Sequence, residues 1–197
     1  MAVFSFLVVV VLHFALPARD AEESRRLAPG LLWVAYIFAA LLGLNRAFAL
    51  ELENEALAGL ALAPADRGWV FLGKAAANFV ILGAVQAITA AVFALAFDVD
   101  LASIAPSLLL VVALGSLGIC AVGTLLGAVS VRTRYREVML PLLLLPLLVP
   151  VLLAAVDATA GLLETGTLRW RAIQLLLVTD AVFLIVSFTS FEYVLDE

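Results

Sequence analysis

The sequence is poor in the residues on which most catalytic and metal sites depend. It contains one cysteine, Cys120, and one histidine, His13, among 197 residues. A single cysteine excludes a disulfide within the chain and a cysteine-based metal cluster. No Ser/His/Asp set, paired-carboxylate site or metal-ligand spacing can be assembled from the other residues, which leaves most hydrolytic and redox mechanisms without their parts. The sequence therefore predicts no catalytic residues and no metal site.

Charge is also scarce, since only 14% of the residues are charged whereas 65% are hydrophobic. A soluble domain of this length cannot bury so much apolar surface, because soluble proteins are nearer half apolar. The 11 basic and 16 acidic residues fall mostly in short segments between apolar runs. They form no basic patch with interleaved aromatics, so nucleic acid is excluded as a partner. The composition is that of an integral membrane protein.

Six apolar runs indicate six transmembrane helices. A segment surrounded by lipid must satisfy its backbone hydrogen bonds internally, which a helix does, and most of the runs reach the ~17–25 residues that a span needs. We therefore predict an all-α membrane protein with a single transmembrane domain over 1–197, a bundle of six transmembrane helices. The predicted spans are about 2–16, 30–50, 75–97, 105–131, 138–156 and 172–191.

The first run, Ala2–Leu16, is shorter than the others. As a helix it would extend only about 22 Å, less than the ~30 Å hydrocarbon core of a bilayer. It lacks the preceding basic residue and the small-x-small cleavage site of a signal peptide. We expect it to be a membrane helix that lacks its beginning, as a late start codon in the gene model would produce.

An even number of spans places both termini on the same side of the membrane. Six basic residues then fall on the side of the termini and five on the other, and the short fourth connection concentrates three of the six: Arg132, Arg134 and Arg136. Because positive residues favour cytoplasmic loops, we predict cytoplasmic termini.

Two polar side chains fall within the predicted spans and form a candidate intramembrane polar site. Asp180 is central in the sixth span, whose aliphatic and aromatic residues at about −0.3 to −0.6 kcal/mol each outweigh about +3 for one carboxylate. Either it faces the bundle or a cavity as a functional group, or it is a protonated or hydrogen-bonded structural residue, with Thr179 or Gln174 as its partner. For His13, packing against a polar neighbour is favoured over haem or metal ligation.

The fourth span is rich in glycine and the fifth in proline, and these residues affect a helix in different ways. The fourth contains glycines at spacings that favour close helix packing: Gly115, Gly118, Gly123 and Gly127. The fifth contains three prolines, each of which removes a backbone donor and predicts a kinked or partly unwound helix: Pro141, Pro146 and Pro150.

The segment Gly68–Lys74 satisfies the pattern G-x-x-x-x-G-K of a phosphate-binding loop. Ala75 follows, however, where a Ser or Thr would be needed to hold Mg²⁺, the intervening residues are bulky and apolar, and no strand precedes them. We interpret the match as fortuitous and expect Lys74 to extend to the lipid headgroups. If transport is driven by ATP, the ATPase is a separate chain.

The longest connection, about 45–74, has a helical pattern in which apolar and acidic residues separate onto two sides: Leu50, Leu57 and Ala61 against Glu51 and Glu55. Pro64 and Gly68 are expected to end this helix before the next span. Two interpretations stay open, a docking surface for a partner protein and a simple interfacial helix.

The same segment makes the chain recognisable. Its order of residues resembles the first cytoplasmic loop of the haem exporter B (CcmB) family, with departures at Asn45, Glu55 and Ala58. The segments 27–35, 140–150 and 191–197 are also similar to that family, so the resemblance covers nearly the whole chain. The matching residues of the loop are Arg46, Phe48, Glu51, Glu53, Leu57, Leu60, Leu62 and Pro64, continued by Gly73, Lys74 and Asn78.

The resemblance implies an ABC-2-type permease architecture and the membrane permease subunit of the cytochrome c maturation ABC transporter, in the bacterial inner membrane. The implied partners are an ABC ATPase subunit, other cytochrome c maturation membrane proteins and a second copy of the chain as a homodimer. Haem is the implied substrate, with no stably bound cofactor. The alternatives are a non-transporting scaffold subunit and a permease for another amphipathic substrate. The implied ATPase-coupling residues are Arg46, Phe48, Glu51, Glu53, Leu57, Leu60 and Pro64.

Overall fold

The computed structural model describes residues 1–15, 21–53, 67–131 and 136–196. Within these ranges, the side chains of 21–25, 48–53, 67, 131, 136–137 and 194–196 are not described. The described residues form six α-helices and no strand: α1 Ala2–Ala15, α2 Ala21–Glu53, α3 Arg67–Phe97, α4 Ala105–Val131, α5 Arg136–Thr165 and α6 Trp170–Asp196.

Five of these helices are long and apolar enough to cross a membrane, which confirms the all-α membrane class. Their crossing segments are Arg26–Ala47, Gly68–Phe97, Ala105–Ser130, Val138–Thr165 and Trp170–Tyr193. The remaining helix, α1, is apolar and has 14 residues. It extends about 21 Å, so it is shorter than the hydrocarbon core.

Successive helices run in opposite directions, so the bundle has two distinct ends. At one end, here called the terminal end, Phe71 near the start of α3 packs against Phe191 near the end of α6, with ring centroids 5.4 Å apart. At the other, the loop end, His13 near the end of α1 packs against Phe97 at the end of α3. The connections 98–104 and 166–169 lie at the loop end.

The helix α4 is the centre of the bundle and packs against α2, α3, α5 and α6. Its glycines allow this approach, as the sequence pattern predicts. A Cβ atom at Gly115 would overlap the ring of Trp33, and one at Gly123 would overlap Leu44, both on α2. α2 and α4 are therefore mostly buried, whereas α3, α5 and α6 expose apolar faces of the kind that lipid covers.

Three helices, α2, α3 and α5, extend eight or nine residues beyond one end of their predicted spans. The span predicted from Ala75 begins in the structure at Arg67, so Gly68 does not end a helix but lies in the first turn of α3. There it is buried against the ring of Phe188 of α6. α2 begins well before the predicted residue 30 and includes Pro29.

The fifth predicted span, 138–156, is part of a 30-residue helix that continues to Thr165. Its three prolines lie inside an uninterrupted helix, so the expected partial unwinding is not observed. Neighbouring helices cover the inner face of α5, where buried residues recur at a helical spacing: Leu140, Leu144, Leu148, Val151 and Ala155. Tertiary packing of that face offsets the backbone bonds that proline removes.

The connection 98–104 at the loop end is a turn that is stabilised by local hydrogen bonds. α3 ends at Phe97, and the next residue, Asp98, has a φ of 51°, in the left-handed region that Asp tolerates better than most residues. The carboxylate of Asp100 then accepts hydrogen bonds from the backbone N–H groups of Ala102 and Ser103, at 3.1 and 3.3 Å, just before α4 begins. These bonds fix the short connection between α3 and α4.

Candidate intramembrane polar site and groove

Asp180 lies in the interior of the bundle, in the part of α6 that packs against α4. Its side chain is only 2% exposed, and neither carboxylate oxygen has a hydrogen-bond partner among the described residues. It abuts Gly118 so closely that a Cβ atom there would overlap Oδ1, and the same Cβ would lie 3.2 Å from Val151 of α5. The carboxyl is therefore wedged between α4, α5 and α6.

One of the two interpretations of Asp180 paired it with Thr179 or Gln174, and these hydrogen bonds are not present. The hydroxyl of Thr179 donates to the backbone oxygen of Leu175 at 2.7 Å, and Gln174 is exposed on the outer face of α6. The reason is helical geometry: adjacent residues are about 100° apart around the helix axis, so Thr179 points away from the surface that buries Asp180. Burial of an unpartnered carboxylate is costly, so this packing favours the neutral acid.

His13 is in a different part of the molecule. It is exposed, and its ring meets the edges of two aromatic rings, Phe14 at 5.4 Å and Phe97 at 5.5 Å. The predicted polar neighbour is thus replaced by aromatic packing at the loop end. Among the described residues, no three His, Cys, Asp or Glu side chains converge to hold a metal ion. His13 and Asp180 contact different helices, so the structure does not bring them into one site.

A large apolar groove opens between α3 and α4. Its volume is about 680 Å³, and it extends from Phe79 to Ala94 on α3, a rise of about 22 Å. Tyr36 of α2 lines it from within the bundle. Most of the other lining side chains are small: Gly83, Ala87, Ala90, Ala91, Ala94, Ala102, Ala105 and Ala113.

One polar pair belongs to the wall of this groove. Ser116 of α4 donates its hydroxyl hydrogen to Oε1 of Gln86 of α3, at 2.8 Å. Both residues are 1% exposed. The Nε2 atom of Gln86 has no hydrogen-bond partner among the described residues. A buried amide donor without an acceptor is uncommon and energetically unfavourable.

Two further hydrogen bonds connect spans within the bundle. Trp33 of α2 donates its indole N–H to the hydroxyl of Thr159 of α5 at 3.0 Å, and that hydroxyl donates in turn to the backbone oxygen of Ala155 at 2.7 Å. Asn78 of α3 donates to the hydroxyl of Thr124 of α4 at 3.0 Å. Interhelical bonds of this kind orient membrane helices relative to one another.

The described residues that were predicted to couple the chain to an ATPase lie on the last turns of α2, at the terminal end. Arg46 is exposed and lines a small crevice of about 160 Å³ together with Asn78 of α3 and Cys120 of α4. Three more of these residues lie in the last turns of α2, where the backbone is helical and the side chains are not described: Phe48, Glu51 and Glu53. Leu57, Leu60 and Pro64 lie outside the described residues, as do Arg132 and Arg134 of the predicted cytoplasmic cluster.

The segment with the phosphate-loop pattern is helical. Gly68–Lys74 lies entirely within α3, so beyond the first turn its backbone N–H groups donate within the helix. A phosphate-binding loop needs those groups free to converge on an anion. The geometry therefore agrees with the interpretation of the match as fortuitous.

An ion cluster at the loop end was not predicted from the sequence. The guanidinium of Arg169 donates to Asp157 Oδ1 and, at 2.7 Å, to Glu164 Oε2, both on the last turns of α5. The stem of Arg169 crosses Gly161, where a Cβ would lie 2.7 Å from its Cγ. Spacings of four and three residues place Asp157, Gly161 and Glu164 on one helix face, which is the signal that would have identified this cluster.

The groove was also missed. The polar residue Gln86 in the third predicted span, with Gly83, Ala87 and Ala91 at intervals of four, is a small-residue surface beside a polar side chain. That pattern indicates a close contact on this face of the helix. It does not reveal that Ser116, thirty residues later, completes the wall.

Comparison with known proteins gives a consistent answer. The family model described as "CcmB protein" matches residues 1–194. A protein named "Heme exporter protein B" from Paracoccus denitrificans is 34% identical over 155 residues, which cover 79% of this chain and 70% of the relative. Proteins of the same name from Pseudomonas aeruginosa and Rhodobacter capsulatus are 30% and 31% identical, over 85% and 94% of this chain and 76% and 84% of the relatives.

Proposed function

The chain belongs to the CcmB family, and on that premise we propose that it is the membrane permease subunit of a haem exporter that serves c-type cytochrome biogenesis. The observation that carries the proposal is the family match over residues 1–194, supported by relatives that are named haem exporters. The five apolar helices make the chain a multi-pass membrane protein. The permease assignment is therefore consistent with both its sequence and its architecture.

The energy for transport would come from an ABC ATPase on a separate chain. In support, the segment Gly68–Lys74, which has the phosphate-loop pattern, is part of the membrane helix α3. α2 ends at Glu53 and α3 begins at Arg67, both at the terminal end of the bundle. Both residues that flank the connection therefore lie at the end of the bundle where an ATPase would dock if the termini are cytoplasmic.

In this proposal the coupling residues form one surface at the terminal end, in the bacterial inner membrane with the termini in the cytoplasm. Arg46, which is exposed beside the crevice between α2, α3 and α4, supplies its positive charge. The acidic residues Glu51 and Glu53 follow on the last turns of α2. A homodimer and further cytochrome c maturation membrane proteins would complete the assembly.

Deletion of the gene in its own host tests the proposed function. Loss of the permease should abolish covalently haem-stained c-type cytochromes, while b-type cytochromes, whose haem is not exported, stay at wild-type levels. A plasmid copy of the gene should restore the stained bands. Wild-type amounts of c-type cytochromes in the deletion strain would refute the proposal.

Purification of the tagged chain from the complemented strain separates a permease from a scaffold. A permease should co-purify with an ABC ATPase in a stoichiometric amount. The ATP turnover of that ATPase should change when the permease is present in the same nanodisc. A scaffold would leave that turnover unchanged.

A further inference from the structure

The α3–α4 groove has the dimensions of a small-molecule site. Its volume of about 680 Å³ lies within the range of about 300–1,000 Å³ typical of ligand pockets. Along α3, Gly83, Ala87 and Ala91 recur at intervals of four residues and carry no side-chain atom beyond Cβ. This wall is therefore smooth, and a flat apolar molecule can lie along it.

The depth of Gln86 indicates what the ligand must offer. Gln86 is eleven residues before the end of α3 at Phe97, about 16 Å along the helix axis, which places it near the middle of a ~30 Å hydrocarbon core. Its Nε2 lacks an acceptor among the described residues. A lipid acyl chain presents only methylene groups at that depth. A ligand that satisfies the amide must carry an oxygen acceptor into the bilayer centre.

The protonation state of a carboxyl group on the ligand follows from the depth of Gln86. An ionised carboxylate is costly to bury at this depth, so the group would be neutral there. Its carbonyl oxygen would accept a hydrogen bond from Gln86 Nε2.

The lining also limits how the ligand is held. Among the described residues that line the groove there is no His, Cys or Met, and its one phenol, Tyr36, is 1% exposed and packed against Trp33 in the bundle interior. A haem in the groove would therefore be held through its porphyrin and not through an axial nitrogen or sulfur. Such binding suits a molecule that must also be released.

We propose that the α3–α4 groove binds the porphyrin body of haem against the alanine wall of α3, with Gln86 Nε2 donating to a propionic acid oxygen and no residue of the groove ligating the iron. The identity of the substrate as haem rests on the proposed function. The position of the site, and the expectation that binding does not depend on the iron, rest on the groove itself.

Trp33 provides a reporter for this site. Its ring contacts Tyr36, which lines the groove, at 5.5 Å between centroids. The substitutions Trp69→Phe and Trp170→Phe leave Trp33 as the fluorophore among the three tryptophans of the chain. The full-length chain in phosphatidylcholine nanodiscs would be titrated with haemin and, separately, with iron-free protoporphyrin IX.

We expect saturable quenching at one porphyrin per chain, with Kd values for the two porphyrins within about threefold of each other. The pair Ala87→Leu and Ala91→Leu fills the groove and should weaken both by roughly tenfold or more. Ala84→Leu is the matched control, because Ala84 is on the same helix, is exposed and does not line the groove. It should bind as the parent does.

Two further variants test the donor. Gln86→Leu should weaken both porphyrins by about fivefold, the effect of one hydrogen bond. Ser116→Ala removes the hydroxyl from Oε1 but keeps the amide and should bind within about twofold of the parent. Equal binding by the leucine-filled and Ala84→Leu variants would overturn the site, as would binding of haemin without protoporphyrin, which requires an iron ligand.

The same variants in the complemented host keep this inference separate from the proposed function. Normal c-type cytochromes in a strain whose permease binds no porphyrin would overturn the groove as the substrate site and leave the permease assignment intact. Normal cytochromes in the gene deletion would overturn the permease assignment, whatever the titrations show.

Discussion

Gly118 of α4 and Asp180 of α6 are in such close contact that a Cβ atom at residue 118 would overlap the carboxyl oxygen Oδ1. The missing side chain at Gly118 makes room for an acidic residue in the interior of an apolar bundle. There Asp180 is only 2% exposed. The distance between α4 and α6 at this point therefore depends on the sizes of the side chains at residues 118 and 180.

We predict that Gly118→Ala destabilises the bundle by about 1–3 kcal/mol, the usual cost of overpacking a close contact. Asp180→Ala should relieve that overlap, so the double variant should lose less stability than the sum of the two single variants. Thermal unfolding of all four proteins in the same detergent measures the coupling. Additive losses would show that Gly118 and Asp180 do not constrain each other.

We predict that Asp180→Asn preserves the fold, because an amide has nearly the size of the neutral acid that this packing favours. Its Tm should stay close to that of the parent, whereas Asp180→Lys, which forces a charge and a longer side chain into the same space, should prevent stable insertion. Membrane-fraction abundance and Tm are the measurements. Equal abundance of the lysine variant would mean that residue 180 is reached by water.

The bond from Trp33 to Thr159 supports a third prediction. Thr159→Val removes the acceptor at nearly constant volume and should cost about 0.6–1.5 kcal/mol. Thr159→Ser, which keeps the hydroxyl, is the control and should lose less. The emission maximum of Trp33 should shift in the valine variant because its indole N–H changes partner. An unchanged spectrum and Tm would show that the bond contributes nothing.

The ion cluster at the loop end supports a fourth prediction. Arg169→Ala removes the cation between Asp157 and Glu164 and leaves two carboxylates on one helix face. The Tm of this variant should fall by more at low salt than at high salt, because exposed ion pairs are screened. Arg171→Ala, at an exposed position two residues later, is the matched control. The same salt dependence in both variants would remove any specific role for Arg169.

The helices could be predicted from the sequence because lipid imposes one requirement on every apolar run. The fourth predicted span, 105–131, coincides with α4. The fifth was predicted to end at residue 156, directly before Asp157. In the structure Arg169 pairs with both, so the helix continues through the charges. The hydropathy of one segment does not show that a cation in the following loop, Arg169, pairs with its acidic residues.

The candidate site was harder to predict than the fold, because its parts meet only in three dimensions. The position of Asp180 in a span was evident from the sequence. Its contact with Gly118, sixty-two residues earlier, was not, and neither was the pairing of Gln86 with Ser116. Local rules instead suggested partners close in sequence, such as Thr179. Helical geometry points these neighbours in other directions, so the interpretation that pairs them with Asp180 does not hold.

The connection between α2 and α3 supports the last prediction. Glu51 and Glu53 lie on the last turns of α2, at the end of the bundle where we propose that the ATPase docks. Reversal of both charges, Glu51→Lys with Glu53→Lys, should abolish c-type cytochromes while the ATPase of the complex still hydrolyses ATP, because unlike charges at a docking surface become like charges. Haem staining and phosphate release from the purified complex measure the two activities. Glu51→Asp with Glu53→Asp keeps the charges and should retain both. Normal cytochrome assembly in the lysine variant, at wild-type protein levels, would place the coupling contact elsewhere.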